Sequence, residues 1–189
     1  MVYMNLLTIA LIIFGLFCLW ILITYNNLIG LKNSVGNSFS GIDVQLKRRA
    51  DLIPNLINTV KGYAKHEREV LESLTQARTS IMNGSANSNI NQMAQGENML
   101  NSALKSVFAV AENYPDLKAN ENYLKLQEEL SETEDQIAAS RRIYNENVVY
   151  FNNKIQMVPS NIIASLFNFK EEQFFKIQEP EKKVVEVNY

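Results

Sequence analysis

Along the first residues the polar positions disappear altogether. From Leu6 to Thr24 the chain reads LLTIALIIFGLFCLWILIT, ~19 residues without a charge, which is the length a helix needs to cross a hydrocarbon core. Beyond it the pattern changes from continuous to periodic. Apolar residues recur at Leu28, Leu31, Val35, Phe39, Ile42, Leu46, Ala50, Ile53, Ile57, Val60, Ala64, Leu71, Leu74 and Ile81. The mean step is close to half a heptad, the seam of a coiled coil or antiparallel bundle. This predicts one long helix that ends at Asn83-Gly84-Ser85, a C-cap and turn composition. Pro54 lies inside it, and a proline there has no N–H for the Ala50 carbonyl, so a kink or short break is expected.

A second helix is predicted over Asn89–Asn113, burying Met93, Met99 or Leu100, Leu104, Val107, Phe108 and Ala111, with Tyr114-Pro115-Asp116 as its stop. A third runs from Asn120 to Met157 with Tyr123, Leu126, Leu130, Ile137, Tyr144, Val148, Phe151 and Ile155 on one face. Pro159 ends it, and Ser160 is placed to cap a shorter amphipathic helix through Ile162, Ile163, Leu166 and Phe167. The fold class that follows is all-α: an N-terminal transmembrane helix, then a long antiparallel helical bundle of three long helices plus a shorter C-terminal one. Residues 1–25 form the anchor, 26–178 the bundle, and 179–189 a charged, loosely held tail.

Helix lengths carry a further expectation. Beyond the membrane the first helix would rise ~85 Å and the second ~38 Å, so the second folds back only to about Pro54. The stripe Leu28, Leu31, Val35, Phe39, Ile42 and Leu46 then lacks a full set of partners. Either it is a self-association seam, or the third or fourth helix drops down to cover it.

Composition sharpens this picture. The chain has 189 residues, enough for one domain and an anchor, and only seven Gly and four Pro, which favours long helices over many short strands. A net charge of −2 and a pI near 5.6 give no general basic field, so no nucleic-acid partner is expected. The runs Lys47-Arg48-Arg49 and Arg141-Arg142 read as solvated helix faces. The single cysteine, Cys18, excludes a disulfide framework or a cysteine-based metal site within one chain. Gly15-Leu16-Phe17 before it puts a bulky ring where lipoprotein cleavage requires a small side chain. A cleaved signal peptide is disfavoured because no Lys or Arg precedes the run and no small-x-small site follows it. Trp20 and Tyr25 suit the headgroup layer, and Lys32, Lys47, Arg48 and Arg49 after the span place the body in the cytoplasm with a short N-terminus outside.

On the third helix Glu134 and Arg141 occupy a seam line with Gln127, Val148 and Ile155, and the first helix offers Asp43, Lys47 and Asp51 at four-residue spacing. An interhelical charge network is expected, with Arg141 paired to Asp43 or Asp51 and Glu134 to Lys47 or Arg48, setting register more than stability. The alternative places Glu134 and Arg141 at the stripe edge with their heads in water. Catalysis is not expected: there is no nucleophile with a base, no glycine-rich phosphate loop and no metal-ligand cluster, so neither a cofactor nor a metal is implied. His66, between Lys65 and Glu67, reads as a surface histidine. Tyr114-Pro115-Asp116-Leu117-Lys118-Ala119-Asn120 is either an outward recognition loop or, by preference, a well-specified helix–helix turn.

Three strings carry a family resemblance: IDVQLKRRADLIPNLINTVKGYAKHE (Ile42–Glu67), FAVAENYPDLKANENYLKLQEEL (Phe108–Leu130) and EDQIAASRRIYNENVVYFN (Glu134–Asn152). With the N-terminal span and Tyr25-Asn26-Asn27-Leu28, the chain resembles the LemA family of bacterial and archaeal membrane proteins over nearly its whole length. It departs from the family where a Trp often precedes the Ile-Asp-Val string: Ser40-Gly41 stands there, with Phe39 nearby, which implies looser packing. The resemblance implies a helical bundle on a single-pass anchor, with links to cell-surface presentation and internal membrane organisation, and no particular reaction. The leading expectation is a non-enzymatic, self-associating membrane scaffold that organises the bilayer or recruits other membrane proteins. The rival is a monomeric adaptor or receptor binding a peptide or membrane protein between its helices. Direct membrane bending by Ile162–Phe167 is a weaker third, since its flanks lack a strong basic face.

Overall fold

A computed structural model describes residues 2–64 and 67–176. His66 and the tail 179–189 lie outside the described residues. The described residues form six helices: α1 (Val2–Lys61), α2 (Arg68–Ala86), α3 (Ile90–Ala111), α4 (Pro115–Lys118), α5 (Glu121–Gln156) and α6 (Ser160–Leu166). The chain is all-α, and α1 begins with the apolar run. Among the described residues α1 is the one helix long and apolar enough to cross a membrane.

The helix expected to run through Pro54 to Ile81 is divided, but not at the proline. α1 continues through Pro54 to Lys61, and the break falls at Gly62 and Tyr63, where glycine, a weak helix former, ends the run. Tyr63 and Ala64 close the last turn with bonds to the Val60 carbonyl at 3.0 and 2.8 Å. Pro54 is tolerated because the carbonyl it strands is satisfied from outside: Arg78 Nε on α2 donates to the Ala50 oxygen at 3.1 Å. A strongly hydrogen-bonding guanidinium thus replaces the missing backbone donor.

The contacts divide the chain into two compact units, Met1–Ser40 with Ser140–Phe174, and Gly41–Ala139 with Phe175–Tyr189, of whose last residues only Phe175 and Lys176 are described. In the first unit most apolar side chains of the Leu6–Ile23 run are exposed, and Cys18, Trp20 and Ile21 are half-buried. Immediately after it the chain is packed: Leu28 and Val35 are buried, Phe39 lies 6.0 Å ring to ring from Tyr144 of α5, and Asn147 Nδ2 donates to the Ser34 carbonyl at 3.4 Å. The segment after α6 returns along α5 without regular structure. Asn152 holds it as a strand partner would, donating to the Glu172 carbonyl at 3.0 Å and accepting from its N–H at 2.9 Å. Tyr144 adds a 2.7 Å bond to the Gln173 carbonyl. Ser160 does not cap α6 as expected: its buried hydroxyl donates to the Lys154 and Met157 carbonyls, fastening the end of α5.

In the second unit α2 and α3 form a tight hairpin. A Cβ on Gly84 would meet the backbone N and Cγ of Met93 at 2.8 Å, and one on Gly96 would meet the backbone N of Ile81 at 2.8 Å. Hydrogen in place of a side chain is what lets the helices approach. The connection turns through Ser88 at φ 49°. Asn89 follows, donating its N–H to the Gly84 carbonyl at 2.8 Å and capping α3 by accepting from Gln92 N at 3.0 Å. Of the expected pair Met99 or Leu100 the core takes Leu100, and it takes Leu56 where Ile57 was expected, which lies at the edge.

Candidate functional site

The second unit holds a charge cluster inside its helical core. Arg49 of α1 is 4% exposed and Glu97 of α3 is 0% exposed. Arg49 Nη1 pairs with Glu97 Oε1 and with Glu134 Oε2 of α5, whose side chain is partly solvated. Asn101 Nδ2, one turn beyond Glu97, lies 3.5 Å from the same Oε1. One guanidinium therefore joins three helices, and its fixed fork and permanent charge suit that task better than an ammonium would. Such a cluster sets register, because any helix that slides by a turn leaves a buried charge without its counter-ion. Its cation has no removable proton, and what the arrangement does is hold three helices in register.

Both buried charges occupy seam positions. Ile42, Leu46, Arg49, Ile53, Leu56 and Val60 follow an alternating step of four and three, as do Met93, Glu97, Leu100, Leu104, Val107 and Ala111. The network exists around Glu134, but its cation is Arg49 and its third member is Glu97, neither of which the charge pattern singled out. Reading the basic run as one solvated face concealed Arg49; a strict heptad register would have found it. Lys47 pairs with Asp43 on its own helix at 2.8 Å, Arg48 reaches Glu132 at 3.7 Å, and Asp51 lies 3.9 Å from Arg78. Arg141 makes no ion pair among the described residues.

The proposed seam is occupied by the chain itself. Leu28, Val35, Ile42 and Leu46 are buried and Leu31 and Phe39 half-buried. The premise that they lacked cover therefore gives way to the alternative: in the first unit α5 descends beside α1 as far as Ser34. The length argument compared the first helix with the second, Asn89–Asn113, which is α3; the cover comes from the third, the 36-residue α5.

Open recesses remain among the described residues of the second unit. One, of about 390 Å³, lies between α1 and α5 and is lined by the amides of Asn55, Asn58 and Asn122 together with Thr59, Lys125 and Glu129. Another, of about 470 Å³, lies where α1 meets α2, with Ile57, Ala64 and Leu71 on its apolar side and Lys61 and Arg68 on its polar side. The Tyr114–Asn120 stretch is a structured turn. Leu117 of α4 is buried, Lys118 pairs with Glu112 at 2.7 Å, and Asn120 accepts from Tyr123 N at 3.1 Å while donating to the Tyr63 hydroxyl at 3.0 Å. Burial, with the nearby Glu112 carboxylate, raises the Tyr123 pKa. No group of His, Cys, Asp and Glu suited to a metal ion occurs among the described residues.

Comparison with known proteins converges on one family. The LemA family model matches residues 38–189. The chain is 30% identical over 167 residues to Protein LemA of Metamycoplasma hominis, covering 86% of this chain and 74% of the relative. It is 24% identical over 179 residues to Magnetosome protein MamQ 2 of Paramagnetospirillum magneticum, and 23% identical over 178 residues to Magnetosome protein MamQ of Magnetospirillum gryphiswaldense. Each of those alignments covers 82% of this chain but only 66% and 65% of the relative, just under two thirds of its length.

Proposed function

Because the chain belongs to the LemA family, we propose that it is a single-pass membrane protein whose helical body serves as a non-enzymatic adaptor, holding a peptide or another membrane protein near the bilayer. The observation that carries this reading is the closure of the Leu28–Leu46 stripe within the chain. A body that completes its own core has no need of a second copy to fold, and its open recesses are left for a partner. The asparagine-lined recess between α1 and α5 suits an extended peptide, whose backbone groups match side-chain amides as both donors and acceptors.

The span lies at Leu6–Thr24 with the body in the cytoplasm, a reading supported by Lys32, Lys47 and Arg48, which follow the apolar run. A cysteine placed at exposed Glu121, in a Cys18→Ala background, should react with an impermeant maleimide only after the cells are permeabilised. Reaction in intact cells would reverse the orientation.

The scaffold reading retains one specific support. Ile143 and Tyr150 are exposed at seven-residue spacing on α5, a line along which a second copy would have to dock. Light scattering of the detergent-extracted protein separates the two. A monodisperse monomer is expected of the adaptor, whereas a defined multimer that Ile143→Lys dissolves would establish the scaffold.

A further inference from the structure

We propose that the turn at Met157 and Val158, together with α6, lies in the headgroup–acyl boundary of the bilayer that Leu6–Thr24 spans, giving the protein a second, monotopic contact with lipid. The inference rests on the anchored reading above and adds a surface to it. Within the first unit one face of α1 passes from solvent into the body at the end of the apolar run: Phe17 is 54% exposed, Trp20 and Ile21 are half-buried, and Thr24 is 8% exposed. The packed body therefore begins where the span stops, with no linker to lift it from the membrane. Tyr25, the next residue, sits at the boundary level where amphipathic rings collect. Its ring centroid is 4.6 Å from that of Phe167 and 6.0 Å from that of Phe169. These contacts fix the height of α6. Ile162 and Leu166 lie within ~8 Å of Phe167 along the helix, so they stand within that distance of its level.

α6 is apolar on more than the face it packs. Ile163 and Ala164 point into the body and are buried, yet Val158 is 77% exposed and Leu166 70%, and Met157, Ile162 and Phe167 are exposed beside them. In water this leaves five large apolar side chains exposed within eleven residues. The composition agrees: from Ile155 to Phe169 there is no charged residue, and Lys154 and Lys170 stand at the two ends. An uncharged apolar stretch between two lysines, whose stems can bury while their ammonium groups reach outward, matches an interfacial segment. The commitment to lipid rather than to a second copy follows from continuity, since the surface adjoins the end of the span through Tyr25. The driving force is apolar area; with Glu171 and Glu172 close behind Lys170, attraction to anionic lipid is not required.

The test uses the full chain in vesicles of phosphatidylcholine. Trp20 is the single tryptophan and reports on the span. In a second protein, Trp20→Phe with Leu166→Trp moves the reporter to an exposed position on α6, where folding does not depend on the side chain. Lipids brominated high or low on the acyl chain then quench whichever indole they touch. The expected result is a blue-shifted emission from position 166 that lipid brominated near the headgroup quenches as strongly as Trp20 is quenched by its best-matched lipid. Emission typical of water, with Trp20 still quenched in the parent protein, would overturn the interfacial placement and leave the anchor standing. A blue shift without lipid quenching would mean that protein covers the patch, and would overturn it equally. Loss of quenching at Trp20 itself would instead refute the span on which the inference rests.

Discussion

Arg49 carries the most concentrated electrostatic commitment in the chain. Replacing it with Met leaves Glu97 buried at full depth without its counter-ion, and breaking a buried pair in this way costs about 3–5 kcal/mol. Urea unfolding of the detergent-solubilised protein, followed by far-UV circular dichroism, should show that loss. Arg49→Met combined with Glu97→Leu and Glu134→Gln should recover most of it, since an apolar replacement of the whole cluster removes the orphaned charge. Tyr144 gives a second prediction at this scale. Burial, with the Glu172 carboxylate nearby, pushes its pKa up to about 12, and its proton is held in the bond to the Gln173 carbonyl. The folded state therefore keeps a proton that the unfolded chain releases near pH 10, so stability present below pH 10 falls as the pH rises toward 12. The urea midpoint should drop over that interval, and Tyr144→Phe should flatten the drop.

Helix ends and helix approaches show where sequence reasoning succeeds and where it stops. The long apolar first helix, the helix stops near Asn83 and Tyr114 and the final stop near Pro159 were legible, because each is written in local chemistry. The division at Gly62 was not. A proline eight residues earlier looked the stronger breaker, and only the fold brings Arg78 to the Ala50 carbonyl. Arg78→Ala should cost about 1–3 kcal/mol, the penalty for an unsatisfied buried acceptor, in the Pro54 protein. It should cost less after Pro54→Ala restores the helical N–H, and equal costs would show that Arg78 acts through Asp51 alone. The hairpin is similarly written across helices: Gly96→Ala forces a methyl against the Ile81 backbone and should destabilise by about 1–3 kcal/mol. The return of residues 169–174 along α5 was invisible for a different reason. It has no period, and its hydrogen bonds come from Asn152, a residue that pattern reading treats as surface.

For the molecule as a whole, the apolar stripe after the Leu6–Thr24 run decides between a protein that needs its own copies and one that is complete alone. Length arithmetic pointed to the first, since α3 is too short to reach back to that stripe. α5 removes the shortfall, and with it the physical reason for a seam at Leu28, Leu31, Val35, Phe39, Ile42 and Leu46. The most direct test is a short bismaleimide on the full chain in its membrane, with Ser34→Cys and Asn147→Cys in a Cys18→Ala background. The contact between Asn147 and the Ser34 carbonyl predicts rapid cross-linking within one polypeptide, which migrates as a monomer on a denaturing gel. Cross-linking that appears instead as a dimer, or that fails while each cysteine reacts singly, would contradict the closed body on which the adaptor reading depends.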